Sequence, residues 1–117
     1  MNVAQAAQEI GGKIVTGAEG AGTREVRGGY ASDLLSDVMA NSTKGDLWVT
    51  MQKHVNIVAV ATLNELAGIV LVNGREPEQA TVDRAREERI PVICTERQAF
   101  DVIGILYGLG VRGRRMD

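Results

Sequence analysis

The sequence predicts a single α/β domain with a mainly parallel central sheet flanked by helices. Two continuous apolar runs, at 68–72 and 90–94, are typical of strands that are buried on both faces of a sheet. A longer segment with helical spacing follows each run, and this alternation of strand and helix is the pattern of βαβ units. The 117 residues are the usual length of one domain.

The first quarter of the chain contains shorter elements. Apolar residues spaced as on one face of a helix predict a helix over 3–10, which two glycines end. A short strand is predicted over 13–16. The glycine-rich segment 17–22 is interpreted as a flexible connector, because its glycines reverse the order that a dinucleotide-binding loop requires. A further strand is predicted between 23 and 30.

The middle of the chain contains one ambiguous segment. Ser32 or Asp33 is expected to cap a helix that continues to Met39, and 47–50 is predicted as a buried strand. The segment 55–66 is rich in β-branched residues but long for a strand. Its length favours a helix, although periodicity leaves both assignments open.

The last two helices are predicted over 77–89 and 98–109. Pro77 suits the first turn of the former, and Gly110 follows the latter. The domain is predicted to span 1–111, followed by a basic C-terminal tail at 112–117.

Composition argues against several classes of protein. The net charge is −2, so a nucleic-acid partner is not expected. No apolar run reaches the length of a membrane span, and the first residues lack the features of a signal peptide, so we expect a cytoplasmic protein. Cys94 is the only cysteine and lies in an apolar run, which is typical of a small core residue.

Four segments resemble the DRTGG domain: VRGGYASDLLSDVMA (26–40), GDLWVT (45–50), AGIVLVNGREP (67–77) and IPV (90–92). This small α/β module is found fused to kinases, phosphotransacetylases and nucleotide-regulated pyrophosphatases, and also alone. The chain most resembles the stand-alone form, which is related to the regulatory module of HPr kinase-like proteins. The pentapeptide that names the family is absent as such, although Arg27-Gly28-Gly29 lies nearby. The resemblance implies an accessory domain that helps to form a dimer.

The predicted binding site is the edge formed by the carboxyl ends of the parallel strands, where open α/β sheets usually bind ligands. Arg75 and Arg97 lie beside helix starts at this edge and suit a phosphate or carboxylate. Glu76, Glu78 and Glu96 could instead pair with these arginines and leave a solvated rim.

Two glycines and a serine before the second predicted helix complete the candidate set. Gly28 and Gly29 either make a tight turn or offer backbone amides to an anion. The candidate ligand-binding residues are Gly28, Gly29, Ser32, Thr50, Asn73, Gly74, Arg75, Thr95 and Arg97.

No catalytic residue, metal ligand or cofactor is predicted. The sequence lacks the phosphate-binding pattern G-x-x-x-x-G-K-[ST], which a kinase of the HPr type would need. His54, the only histidine, has no cluster of further ligands around it in sequence. Asp33 and Asp37 share a helical face, but a cap and a solvated carboxylate explain them.

The predicted function is that of a non-catalytic regulatory domain, which senses a ligand or binds a protein. An anionic metabolite or nucleotide at the carboxyl edge is the predicted ligand. The alternatives are an enzyme that acts on a phosphorylated metabolite, with His54 or Asp33 as base, and a pure dimerisation scaffold. A homodimer is predicted from the broad apolar face of the last helix, with complete burial in the core as the alternative. That face comprises Phe100, Val102, Ile103, Ile105, Leu106, Tyr107 and Leu109.

Overall fold

The computed structural model describes residues 1–113, which form a five-stranded sheet between two layers of helices. The strands are β1 (Lys13–Thr16), β2 (Gly28–Ala31), β3 (Asp46–Thr50), β4 (Gly68–Leu71) and β5 (Val92–Cys94). The helices are α1 (Val3–Glu9), α2 (Ala18–Ala21), α3 (Leu35–Asn41), α4 (Asn56–Leu63), α5 (Gln79–Glu88) and α6 (Ala99–Gly108).

The sheet has the order β1-β5-β4-β3-β2, which confirms the predicted fold class. Strands β2 to β5 are parallel to one another. Strand β1 is antiparallel to β5, with Lys13 opposite Cys94. The beginning of β1 therefore lies at the carboxyl end of β5, and this places the turn between α1 and β1 at the ligand-binding edge of the sheet.

Each face of the sheet has its own hydrophobic core. Neighbouring strand residues alternate between the two cores, as Leu47 and Trp48 of β3 do, because successive side chains of a strand point to opposite faces. Helices α1, α2 and α6 cover one face, and α3, α4 and α5 cover the other. The first core contains Val3, Ile10, Leu47, Val70, Ile93, Val102 and Leu106, and the second contains Val38, Trp48, Ile57, Ile69, Ala85 and Val92.

The ambiguous segment 55–66 contains helix α4. Four of its residues are buried, because the helix packs against the sheet and contacts both α3 and α5. The β-branched side chains thus fill the space between two helices and the sheet, and packing outweighs their preference for strands. The buried residues are Ile57, Val58, Val60 and Ala61.

The segment before β2 is not a strand, contrary to the prediction for 23–30. Its backbone follows the start of α1, where Val3 N–H donates to the Arg24 carbonyl and Val26 N–H donates to the Met1 carbonyl, both at 2.9 Å. The Arg24 guanidinium donates to the carbonyls of Leu66 and Ala67 at 3.0 and 3.1 Å. These contacts hold the segment away from β3 until Gly28. The predicted flexible connector before it contains the short helix α2.

Neither Ser32 nor Asp33 caps α3, contrary to expectation, since the helix begins at Leu35 without a side-chain cap. Asp33 Oδ1 accepts hydrogen bonds from the Thr50 hydroxyl at 2.7 Å and from Met51 N–H at 2.8 Å. This carboxylate therefore joins the segment after β2 to the end of β3.

The apolar residues of α6 divide between core and surface. Val102 and Leu106 are buried against the sheet, whereas Phe100, Ile103 and Tyr107 are exposed. The predicted broad face is thus only partly used by the core. Among residues 1–113, no helix has the length and hydropathy needed to cross a bilayer.

Candidate functional site

The carboxyl ends of β4 and β5 form a crevice at which the chain changes sides of the sheet. After β4 the chain enters α5, which packs on one face, and after β5 it enters α6, which packs on the other. Adjacent parallel strands whose connections leave to opposite faces create the crevice in which open α/β sheets usually bind ligands.

The two loops that leave this crevice are hydrogen-bonded to each other. Asn73 N–H donates to the Arg97 carbonyl at 2.7 Å, and Gly74 N–H donates to the Thr95 carbonyl at 3.0 Å. Asn73 and Gly74 have φ values of 61° and 71°, which residues such as asparagine and glycine adopt most easily. This turn brings the β4 loop across to the β5 loop, and the two hydrogen bonds join the loops into one edge.

An open cavity of about 330 Å³ lies beside these joined loops. We call it the rim cavity. The loop after β4 contributes residues 74–76 to its lining, β5 and the loop after it contribute 94–96, and the turn between α1 and β1 contributes 11–13. Its volume lies at the lower end of the range for small-molecule sites.

The rim cavity contains side chains of both charges. Lys13 and Arg75 are its cations, and no ion pair within residues 1–113 includes either of them. Glu76 and Glu96 are its carboxylates. The Glu96 carboxylate covers Gly74, where an added Cβ atom would lie 2.7 Å from Oε2. The cavity therefore offers two cations to an anion and two carboxylates to hydrogen-bond donors.

Cys94 lies half-buried in this lining. Burial raises the pKa of its thiol, and the negative charge of Glu76 raises it further, while the nearby Lys13 ammonium acts in the opposite direction. The thiol is thus kept protonated, which does not favour a nucleophilic role.

Thr95 and Arg97 were predicted as ligand-binding residues, and the structure shows both supporting the backbone. The Thr95 hydroxyl and Arg97 Nε both donate to the Ile10 carbonyl at 3.2 Å. They close the end of α1, and Arg97 does not line the rim cavity. Of the predicted set, Gly74, Arg75 and Thr95 line this cavity, and Asn73 shapes the loop beside it.

Ser32 and Thr50 lie at the same edge of the sheet but border a different, smaller cavity of about 230 Å³. The Thr50 hydroxyl donates to Asp33 Oδ1, and Ser32 Oγ accepts from Leu34 N–H at 3.1 Å. Both hydroxyl groups therefore already have partners within the domain.

Gly28 and Gly29 do not lie at this edge. They begin β2, where Gly28 pairs with Asp46 at the amino end of β3. A strand rises about 3.3 Å per residue, so Gly28 is about 13 Å from Ser32 at the other end. Neither glycine has positive φ, so the tight-turn alternative is also wrong. The sequence interpretation made the pair a loop before a helix, whereas the two residues begin a strand.

The sequence interpretation missed the contribution of β1. Lys13 and the two preceding glycines reach the rim cavity only because β1 is antiparallel to β5. A mainly parallel sheet built of βαβ units would place the beginning of β1 at the opposite edge. The charged Lys13 at the start of a short strand was the available signal, but the strand's direction cannot be read from it.

The residues weighed for catalysis are engaged in local structure. Asp33 binds the end of β3, as described above, and His54 Nδ1 accepts a hydrogen bond from Asn56 N–H at 3.2 Å on an exposed loop. Within the part of the chain that the structure describes, no group of three or more histidine, cysteine, aspartate or glutamate residues is arranged to hold a metal ion.

Comparison with known proteins identifies the family. A model of the DRTGG domain matches residues 5–109. The fold is similar to that of a crystal structure of the CBS and DRTGG domains in the regulatory region of a Clostridium perfringens pyrophosphatase, complexed with the activator diadenosine tetraphosphate. The TM-score is 0.65 at 13% identity, over 89% of this chain and 48% of that chain. This chain thus spans about half the length of its structural neighbour. No curated protein sequence matches it significantly. Since the family model covers most of its length, the chain belongs to the DRTGG domain family.

Proposed function

We propose that this domain is a regulatory, non-catalytic ligand sensor that binds an anionic small molecule in the rim cavity. The observation that carries the proposal is the position of Lys13 and Arg75, two cations without ion-pair partners among residues 1–113, in an open cavity beside the β4–β5 crevice. Ligand sites of open α/β sheets are usually found at such a crevice.

A nucleotide is the ligand class that suits this lining best. Its phosphate groups would face Lys13 and Arg75, and its hydroxyl or amino groups would donate to Glu76 and Glu96. The structural neighbour, which was solved with diadenosine tetraphosphate, supports testing nucleotides first. The mixed charges favour such a ligand over a simple anion, because a simple anion would leave the carboxylates unpaired.

Titration calorimetry with ATP and with diadenosine tetraphosphate tests this proposal. We expect the double variant Lys13→Gln/Arg75→Gln to bind at least about tenfold more weakly than the wild type, because two charge-assisted contacts are lost. Arg84→Gln/Arg86→Gln is the matched control, since it removes the same charge from exposed positions of α5. Arg97 is left unchanged because it holds the end of α1.

Equal binding by the wild type and the rim variant would refute the rim site. Incubation of bound nucleotide followed by product analysis tests the enzymatic alternative. Turnover that is lost in His54→Ala would support an enzyme, whereas stabilisation without turnover supports a sensor.

We further propose that the domain forms a homodimer through the exposed side of α6. Phe100 is 86% exposed, Tyr107 57% and Ile103 40%, and their spacing places them on one helical stripe. Exposed apolar stripes of this kind are typical of protein interfaces. A dimer without any ligand would correspond to the scaffold alternative. The cytoplasm remains the compartment predicted from the sequence.

Sedimentation equilibrium tests the dimer. We expect the wild type to have twice the mass of the 12.5 kDa chain and Phe100→Glu/Ile103→Glu to have the mass of one chain. Leu63→Glu is the control, because Leu63 is 66% exposed at the end of α4 on the other face of the sheet. A wild-type mass of one chain at all concentrations would exclude this interface.

A further inference from the structure

We propose a second ligand site at the opposite end of the parallel strands, where a cavity of about 490 Å³ would bind a phosphorylated sugar. We call it the amino-end cavity, because it lies at the amino ends of β2 and β3. Arg27, Lys44, Arg112, Asp46 and Gly28 contribute to its lining. Its volume is in the usual range for small-molecule sites.

Two of its cations are held in place by their surroundings. The stem of Arg27 lies against Gly45, where an added Cβ atom would be 2.7 to 2.9 Å from Arg27 Cβ, Cγ and Cδ. The Arg112 guanidinium lies 3.7 Å from the centroid of the Tyr107 ring and donates to the Tyr107 carbonyl at 2.7 Å. The Arg112 guanidinium would therefore lose little freedom on binding an anion, and packing of its stem restricts Arg27 in part.

Lys44 adds a third positive charge. It lies 3.5 Å from Glu65, but both side chains are about two-thirds exposed, so this ion pair is weak and open to exchange. No ion pair within residues 1–113 includes Arg27 or Arg112. The cavity thus has three cations and one carboxylate, and a phosphate group is the anion that arginine geometry suits.

The carboxylate of this cavity, Asp46, has one oxygen that the protein does not satisfy. Asp46 is only 6% exposed, and its Oδ2 accepts from Thr43 N–H at 2.8 Å and from the Thr43 hydroxyl at 3.2 Å. Oδ1 has no hydrogen-bond partner among the described residues. Among the described residues no enclosed side-chain oxygen lacks a partner, so Oδ1 is open to the cavity, where a ligand hydroxyl can donate to it.

Gly28 brings this carboxylate close to the Arg112 main chain. A Cβ atom on Gly28 would lie 2.8 Å from Asp46 Oδ1 and 2.9 Å from the Arg112 carbonyl oxygen. Any side chain at this position would therefore occupy the space between Asp46 Oδ1 and the Arg112 carbonyl. A phosphorylated sugar uses both parts of the site, because its phosphate faces the cations and a hydroxyl donates to Asp46. Inorganic phosphate uses only the first part.

Amide NMR titrations with ribose 5-phosphate and with inorganic phosphate test the site. We expect ribose 5-phosphate to shift the amides of Gly28, Lys44 and Gly110 and to bind about tenfold more tightly than inorganic phosphate. In Arg27→Gln/Arg112→Gln its affinity should fall at least about tenfold. Lys13→Gln/Arg75→Gln should retain it, which separates this site from the rim cavity. Adenosine 5′-monophosphate, measured in parallel, distinguishes a nucleotide, which would bind more tightly, from a sugar phosphate.

Asp46→Asn tests the acceptor. The two Thr43 donors would hold the amide oxygen in the Oδ2 position, so an NH₂ group would replace the free Oδ1 acceptor. We expect the preference for ribose 5-phosphate over inorganic phosphate to fall towards unity. Three outcomes would each overturn the proposal. The first is that amide shifts are confined to the rim cavity, and the second is that no binding is detected at a ligand concentration of about 10 mM, which is well above weak metabolite affinities. The third is that the wild type binds the two probes with equal affinity. The last comparison needs only the wild type.

Discussion

Cys94 is a single residue whose chemistry depends on two neighbours from other elements. Glu76 raises the pKa of its thiol and Lys13 lowers it, in addition to the larger effect of burial. We expect Glu76→Gln to lower the pKa of Cys94 and to speed its alkylation by iodoacetamide at neutral pH, because more thiolate is present. Lys13→Gln should slow alkylation.

The rates are to be measured across pH, so that a change of pKa is distinguished from a change of access. Glu87→Gln, an exposed position of α5, is the control and should leave the rate unchanged. A rate that rises equally at all pH values in Glu76→Gln would show a steric effect instead.

Asp37 contributes to the dependence of stability on pH. Hydrogen bonds from the side chains of Ser32, Tyr30 and Asn41 hold the pKa of Asp37 below its ordinary value of 3.8. A carboxylate with a lowered folded-state pKa contributes stability above the unfolded-state pKa, and this contribution is lost as pH falls through the folded-state value. We therefore expect the unfolding free energy of the wild type to exceed that of Asp37→Asn at pH 7. The two unfolding free energies should become equal below pH 3.8, as Asp37 is protonated.

Urea unfolding at several pH values measures this difference. Glu87→Gln again serves as the control, since it removes an exposed carboxylate. A constant difference between the wild type and Asp37→Asn from pH 7 down to pH 2 would contradict the assignment.

For individual residues of the site, some predictions from the sequence agree with the structure and others do not. Arg75 could be placed at the rim, because it follows a recognisable buried strand by a few residues. Arg97 follows the next strand equally closely, but its side chain turns to the Ile10 carbonyl. A side chain's partner depends on a distant segment, in this case the end of α1, and spacing along the chain does not contain that information.

The connection between β1 and α2 depends on Gly17. Its φ is 73°, and a Cβ atom there would lie 2.9 Å from the backbone of Pro91. We expect Gly17→Ala to lower the unfolding free energy by about 2–4 kcal/mol, from left-handed strain plus a backbone clash. Chemical denaturation measures this loss.

Gly20→Ala is the matched control within α2. Apart from the backbone of α2 and the neighbouring residues, no atom lies within 4 Å of the added methyl group. Alanine also favours a helix, so we expect Gly20→Ala to be neutral or to stabilise by up to about 1 kcal/mol. Equal losses of unfolding free energy in Gly17→Ala and Gly20→Ala would show that the φ of Gly17 does not cause the destabilisation.

Elements that fill a layer of the sheet were predictable, whereas the bounds of the edge strand β2 were not. The apolar runs of β4 and β5 and the amphipathic α5 are recognisable because burial imposes their patterns. Strand β2 contains two glycines and is only partly buried, so burial imposes no pattern on it. Its edge is covered by the Arg112 carbonyl, which accepts from Gly29 N–H at 3.0 Å. The predicted tail lies outside the described residues from 114 onward.

For the whole molecule, Trp48 reports on the state of the fold. It is the only tryptophan, it is fully buried in the interior strand β3, and its Nε1 donates to the Ser32 carbonyl at 2.9 Å. We expect tryptophan fluorescence and far-ultraviolet circular dichroism to give the same urea midpoint, because both cores share one sheet. Different midpoints would show that the two layers of helices unfold separately.

The fold class could be predicted as a whole because strand–helix alternation allows few topologies. The antiparallel orientation of β1 could not be predicted. This strand has only four residues, and its charged first residue is compatible with either orientation in the sheet. This one strand decides the composition of the rim cavity, to which it brings Lys13. The general location of the candidate site was thus predictable, but the set of residues that line it was not.

The hydrogen bonds between the loops after β4 and β5 have a kinetic consequence. Asn73 and Gly74 are exposed, yet their N–H groups donate to the Arg97 and Thr95 carbonyls. In deuterated water these loop amides should exchange as slowly as those of a strand, while the amide of Glu76, which has no such partner among the described residues, exchanges quickly. Ligand would then meet an edge that is already ordered, so any signal has to pass through side chains and packing rather than through the closing of a loop.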